Sequence, residues 1–212
     1  MQHFAGILLA GGRSKRMGTD KALLPLPGYN QISFLQHLTR VMLGVCEELV
    51  LVTRDVQQAD TYARYVSSSV RLVVDEVPDN GPLMGIYSGL RVIEASHVFV
   101  CAIDTPLLQS SLLTFLLTQC CDDTLVIHVV DDRPQVLLAL YPRVLLPLIE
   151  ERLQAGRRDP RSLLDVAAIR YIPEEQLRVV DPDLRSFLNV NTPEDLYALR
   201  SMLGVSNDDM LL

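Results

Sequence analysis

The chain of 212 residues contains no tryptophan, and only 6 % of it is aromatic, so its core has to be built mainly from aliphatic side chains. Cysteine is scarce too. Cys46, Cys101, Cys120 and Cys121 form no CxxC pair and the adjacent two cannot easily bridge, so neither a disulfide framework nor a zinc site is indicated. His3, His37, His97 and His128 are scattered, with no second ligand at metal spacing, and read as surface or core residues. Long apolar runs are missing: stretches such as Phe4 to Ala10 and Val98 to Ile103 fall far short of the roughly 18 residues a membrane span requires. No basic segment precedes the first apolar run, so no signal peptide is expected, and a cytoplasmic location with no membrane partner follows. Basic charge is in deficit, 19 Lys plus Arg against 26 Asp plus Glu for a formal net charge of −7. That balance argues against a nucleic-acid partner and makes any anion binding local. Lysine itself is rare: 17 of the 19 basic residues are Arg, and Lys15 and Lys21 stand six positions apart near the N-terminus.

What is present is apolar and patterned. With 49 % hydrophobic and 21 % charged residues the chain suits one large folded unit with a sizeable core. Short, often β-branched runs alternate with longer segments of helical period, the pattern of a doubly wound α/β fold: a mostly parallel sheet with helices on both faces. Strands are expected near Phe4–Ala10, Leu49–Thr53, Arg71–Val74, Val98–Ala102, Thr124–Val129 and Gln135–Ala139. Ser33–Val45 carries a helical stripe of Phe34, Leu35, Leu38, Val41, Met42 and Val45. Thr192-Pro193-Glu194-Asp195 reads as a helix start, with Thr as N-cap and two acids at the positive end, and that helix is expected to finish near Gly204. Residues 1–204 are expected to form a single domain and 205–212 a short frayed tail.

Ligands of open α/β sheets collect beyond the carboxyl ends of the strands. There the segment Leu9 to Lys21 packs four cations, one acid and three glycines into 13 residues. Glycines let the backbone approach a ligand and turn N–H groups toward phosphate oxygens, while Arg and Lys supply counter-charge. The spacing from Gly12 to Gly18 fails the GxxxxGK[ST] phosphate loop, and no GxGxxG is present, which disfavours a dinucleotide oxidoreductase. A solvated basic turn is the plainer alternative.

The stretch LAGGRSKRMGTDKALLPL resembles the signature of the nucleotidyltransferases that make molybdenum cofactor dinucleotides, and among them the molybdenum cofactor guanylyltransferase (MobA) family. Three later segments are similar to that family's motifs, in the right order: Asp75-Glu76 leading to Gly81-Pro82-Leu83-Met84-Gly85-Ile86, then Asp104-Thr105-Pro106-Leu107-Leu108, then Asn189-Val190-Asn191-Thr192-Pro193-Glu194-Asp195-Leu196. The resemblance spans residues 5 to about 200 and implies a Rossmann-like nucleotidyltransferase fold.

It also implies transfer of GMP from GTP to the terminal phosphate of molybdenum-molybdopterin, with release of pyrophosphate, Mg²⁺ as cofactor, and proteins that supply molybdopterin or receive the product as possible partners. Leu9, Ala10 and Gly11 would hold base and ribose through their backbone, with Gly12 allowing close approach; Arg16 would neutralise the leaving phosphates and Lys21 would reach the α-phosphate. Arg13 and Lys15 have a phosphate role or a solvated one. Asp104 would hold the metal, or cap a helix after Pro106. Asp75 would contact sugar or base. Gly81 and Gly85 bracket a helix start whose free N–H groups face an anion or a guanine edge, or else serve a simple turn and close packing. Asn189 and Asn191 alternate along a short extended run and point the same way, toward a second ligand or Asp104, Asn191 being alternatively a turn residue. Arg133-Pro134-Gln135, Tyr141 and the arginines Arg157, Arg158 and Arg161 fall where the family binds its pterin, the last three being otherwise a solvated helix end. Two positions depart from the family pattern: Ile103 stands where Cys is usual, and Leu51 where some relatives have an Asn that touches the nucleotide. Gly12 and Gly81-Pro82-Leu83 favour GTP over CTP within the resemblance. A transferase using CTP or another phosphorylated acceptor, and a non-catalytic nucleotide-binding adaptor, are the alternatives.

Overall fold

A computed structural model describes residues 4–13 and 16–205, so Lys15, His3 and all of the expected tail beyond Val205 lie outside the described residues. Among the described residues seven strands and seven α-helices follow one another as β1 (Phe4–Leu9), α1 (Phe34–Leu43), β2 (Glu48–Thr53), α2 (Val56–Tyr62), β3 (Val70–Val74), α3 (Pro82–Leu90), β4 (His97–Ala102), α4 (Ser110–Thr118), β5 (Leu125–Val130), β6 (Arg133–Pro142), α5 (Leu146–Gln154), β7 (Ile169–Ile172), α6 (Glu174–Leu177) and α7 (Pro193–Met202). The strands make one sheet in the order β3-β2-β1-β4-β6-β5-β7. All pairs are parallel except those of β6, which runs antiparallel to both β4 and β5.

Strand alternation sorts the core into two layers. Leu8, Leu49, Leu51, Phe99, Cys101, Val126 and Leu140 face α1, α4 and α7, while Ile7, Val50, Val52, Val98, Val100, Ile127 and Tyr141 face α3 and α5. The sheet is therefore covered on both sides. Ser33 caps α1 in a reciprocal box with Gln36, and Thr192 caps α7 in the same way with Asp195. The expected first helix was drawn too long at both ends: Ser33 is its cap, and its last turn closes at Leu43.

Three features were not anticipated. β7 is a short edge strand whose two central residues are exposed, so it lacks the alternation that marks a half-buried strand. β6 is twice the expected length, because Arg133 and Pro134 belong to its start and Leu140 to Pro142 to its end, and the chain reverses just before it at Asp131 and Asp132, both at positive φ. And α3 lies unusually close to β1. A Cβ on Gly89 would fall 2.6 Å from Ile7 Cδ1 and 2.8 Å from its Cγ1, so only hydrogen fits between helix and strand.

Gly89→Ala raises intrinsic helix propensity but overpacks a fully buried contact, and a net destabilisation of about 1–3 kcal/mol is expected. Urea unfolding of the variant against the parent checks this; an unchanged or raised midpoint would show that helix and strand separate without cost.

Candidate active site

The chain runs outward from β1 through β2 to β3 and then returns to β4 on the other flank of β1, so the connection reverses direction between β1 and β4. Such a switch point leaves a crevice at the carboxyl ends of the strands. Here it is a cavity of about 430 Å³, walled by Leu9, Val52, Asp75, Ala102, Ile103 and Asp104 from the ends of those strands. Gly11, Gly12, Arg16, Lys21, Gly81, Gly85 and Asn191 complete the wall among the residues expected there.

Lys21 is the centre of this arrangement. It opens a short 3-10 turn, Lys21–Leu23, whose N-cap is Asp20, and it is only 7 % exposed. Its Nζ donates to Asn191 Oδ1 at 2.9 Å. Burial pushes its pKa down, as does Arg16, while the carboxylates of Asp104 and Asp195 pull it back up. Asp104 mirrors this: burial raises its pKa, and Lys21 and Arg16 oppose the rise. Asn191 is presented by the α7 cap, since Asp195 Oδ2 accepts from the N–H groups of both Asn191 and Thr192, at 2.8 and 2.9 Å. Arg13 has a different role. Its guanidinium pairs with Asp79 across the mouth of the cavity, Nε lying 2.8 Å from Oδ1, so the charge of Arg13 is compensated from within the protein.

A second cavity of about 330 Å³ adjoins the first. Asp104, Pro82 and Leu137 line both. The second is otherwise walled by the start of β6 (Pro134 to Leu138), by Arg158, Asp159 and Arg161, and by Thr105, Phe187 and Asn189. Arg157 does not reach either cavity, and the Arg161 guanidinium is paired with Asp159 at 3.3 Å.

Several expectations need correction. Ala10 is buried behind the wall, with its N–H donated to the Val52 carbonyl at 2.9 Å, and is not among the residues lining the cavity. Asn189 faces the second cavity and donates to the Phe187 carbonyl, so the two asparagines serve adjoining spaces. The start of α3 offers no free N–H groups at its first positions: Pro82 has none, that of Leu83 goes to the Arg158 carbonyl at 3.1 Å, and that of Met84 to the Gly81 carbonyl. Gly81 is required for packing, at φ +81° and with a Cβ position only 2.8 Å from that same Arg158 oxygen. Asp104 does not cap the next helix, which begins at Ser110 with Gln109 as its N-cap. Leu51 points into the core on the far side of the sheet, and Val52 is the β2 residue at the cavity. The histidines are structural where described; His128, fully buried with its ring edge-on to Phe187, is pushed down to about 4 by burial.

Asp79, Leu137 and Phe187 were missed. Asp79 had a signal in the turn sequence Pro78-Asp79-Asn80-Gly81, and it adopts positive φ there. The other two are apolar residues indistinguishable in sequence from core. Among the described residues no cluster of three or more His, Cys, Asp or Glu is placed to hold a metal. A hard divalent ion that shares its shell with phosphate oxygens needs only one or two carboxylates. Asp104 fits that need, as a half-buried carboxylate on the wall between two cavities. No described helix is long and apolar enough to cross a membrane.

Asp75 carries a proton-linked stability effect. Its Oδ1 is buried without a partner, and burial pushes the carboxyl up to about 6, the Ser88 hydroxyl partly offsetting the rise. The folded value lies above the ordinary one of about 3.9, so stability contributed by the neutral acid is fully present below about pH 4 and is lost as pH rises through 6. Asp75→Asn is expected to unfold at a higher temperature than the parent at about pH 8 and at the same temperature near pH 4. Melting curves across that range check it, and a difference that does not grow with pH would contradict it.

Comparison with known proteins agrees with this fold. The family model for the MobA-like NTP transferase domain matches residues 6–174. A probable molybdenum cofactor guanylyltransferase of Methanothermobacter thermautotrophicus is 33 % identical over 201 residues, 89 % of this chain and 95 % of the relative. A molybdenum cofactor guanylyltransferase of Desulfosudis oleivorans is 33 % identical over 198 residues, 92 % of this chain and 94 % of the relative. The crystal structure of molybdopterin-guanine dinucleotide biosynthesis protein A from Archaeoglobus fulgidus superposes with a TM-score of 0.79 at 27 % identity, covering 94 % of this chain and 98 % of that one. The ordered motifs, the switch-point crevice and these matches lead to one conclusion: the chain belongs to the MobA-like NTP transferase domain family.

Proposed function

We propose that the protein, as one domain over residues 1–204, transfers GMP from GTP to the terminal phosphate of molybdenum-molybdopterin, giving the guanine dinucleotide and pyrophosphate. The observation that carries this reading is the shared wall. Asp104 lines both cavities, and Lys21 and Arg16 lie in the first. A nucleotide in one cavity and a phosphorylated acceptor in the other would meet at Asp104.

The chemistry is dominated by charge. Two unit charges 4 Å apart repel by about 4 kcal/mol at an effective dielectric of 20, and an acceptor phosphate must approach an α-phosphorus already flanked by anionic oxygens. Little covalent work is asked of a protein in such a transfer; positioning and neutralisation suffice. Lys21, whose Nζ donates to Asn191, holds the α-phosphate in this reading. Arg16 takes the leaving phosphates, since Arg13 is already paired with Asp79. Asp104 with nucleotide phosphates would hold Mg²⁺, which supplies further neutralisation at the reacting phosphate when bound. Arg158 faces the acceptor's anion from the second cavity. Asp75 favours guanine: its Oδ1 is left without a partner, and the carboxylate is an acceptor for the adjacent ring N–H and amino donors of that base, a pair cytosine lacks.

Incubation with molybdopterin, Mg²⁺ and either GTP or CTP, followed by mass spectrometry of the pterin, tests the assignment. Attachment of GMP is expected; attachment of CMP would overturn the base choice, and nucleotide binding without product would favour the adaptor. Asp104→Asn is expected to lower Mg²⁺-dependent turnover by a factor of about 100 or more while leaving the fold intact, and near-normal rates would remove Asp104 from the metal role.

A further inference from the structure

Behind the first loop, away from the nucleotide cavity, a hydrogen-bonded relay runs from α2 to Asp20 and takes no part in the transfer itself. The N–H of Arg54 donates to Gln58 Oε1 at 2.8 Å, and Gln58 Nε2 donates to the Tyr62 hydroxyl at 2.9 Å. That hydroxyl lies 2.8 and 2.9 Å from the two carboxylate oxygens of Asp20. Donor arithmetic fixes the direction. A backbone N–H occupies the Gln58 oxygen, so its amide nitrogen must face Tyr62; the phenol oxygen already accepts there, and its single proton goes to Asp20. Tyr62 is fully buried, and burial together with Asp20 pushes its pKa upward, which keeps it a donor.

Asp20 and Lys21 are neighbours that face opposite ways. Asp20 lines a polar depression with Thr19, Arg54 and Gln58 that meets the nucleotide cavity at Gly12 and Arg13, while Lys21 lines the nucleotide cavity itself. The same Asp20 carboxylate accepts from the Ala22 N–H at 3.0 Å and so caps the turn that begins at Lys21. We propose that Tyr62 is a positioning residue for Lys21. By holding the Asp20 carboxylate on the outer side of the loop, it keeps the Lys21 turn capped and keeps a negative charge from competing with substrate phosphates for Lys21 and Arg16. This inference rests on the reading of Lys21 as a phosphate ligand.

Steady-state kinetics on the parent, Tyr62→Phe, Asp20→Asn and the double variant test it, with molybdopterin, Mg²⁺ and whichever nucleoside triphosphate the parent consumes. A wrong base assignment then shows in the parent alone and leaves the comparison intact, and calorimetric nucleotide affinity gives the same comparison without turnover. Phe keeps the buried ring and removes the hydroxyl. Tyr62→Phe is expected to raise KM for the nucleotide about tenfold with a smaller change in kcat. Asp20→Asn keeps an amide oxygen for the cap and removes the charge, and is expected to stay within about threefold of the parent. In the Tyr62→Phe background it should recover most of the lost kcat/KM. A merely structural role would give no recovery, because the double variant holds fewer native interactions than either single one. A folded Tyr62→Phe protein with unchanged KM overturns the proposal, as does a double variant no better than Tyr62→Phe. If Tyr62→Phe does not fold, Asp20→Asn decides: a loss of tenfold or more in kcat/KM would mean that the carboxylate itself is needed, about the threshold at which one charged hydrogen bond is lost.

Discussion

A buried ammonium joins the two ends of this chain. Withdrawing Lys21 from water costs several kcal/mol unless oxygen partners face it, and they come from far apart: the Asn191 amide, 170 positions on, and the charges of Asp104 and Asp195. The Lys21 turn is therefore tied to the capped start of α7. The same capping carboxylate at the start of α7 also fixes the backbone of Asn191, so helix cap and site share one group.

Glycine performs a second kind of constraint along α3. Gly85 and Gly89 let the helix rest on Leu9 and Ile7, which brings its first turn and Pro82 to the boundary between the two cavities. Arg158 answers from the other side, its carbonyl taking the Leu83 N–H. What looked in sequence like an open anion-binding helix end is a joint between two walls. The sequence of Gly81 to Ile86 is the same under either reading; only the arrival of a distant carbonyl distinguishes them.

Much of the fold was legible for a physical reason: β1 to β5 are short apolar runs bounded by turns, and their observed limits fall within a residue or so of the expected ones. β7 escaped because exposed Arg170 and Tyr171 stand together between half-buried Ile169 and buried Ile172, so the four residues do not alternate. The antiparallel course of β6 was legible in the short gap after β5, too short for a parallel crossover, while its placement beside β4 emerged only with the pairing of Leu138 to Cys101 and Pro142 to His97. At the site, charged residues in glycine-rich loops could be located from sequence, while their pairings could not. That Arg13 is held by Asp79 and Lys21 by Asn191 depends on contacts 66 and 170 positions apart.

The reversed direction of β6 has an architectural consequence. In the parallel strands it is the ends that reach the ligand edge; in β6 it is the beginning, so Pro134 to Leu137 project past the last paired residue of β4 and form the wall of the second cavity. The Asp131–Asp132 reversal sits at that rim, with the Asp131 N–H anchored on Glu174 of α6. Insertions or deletions in this one hairpin would remodel the second cavity while the ends of β1 to β3, which wall the first, stay as they are, so the two cavities can be reshaped independently.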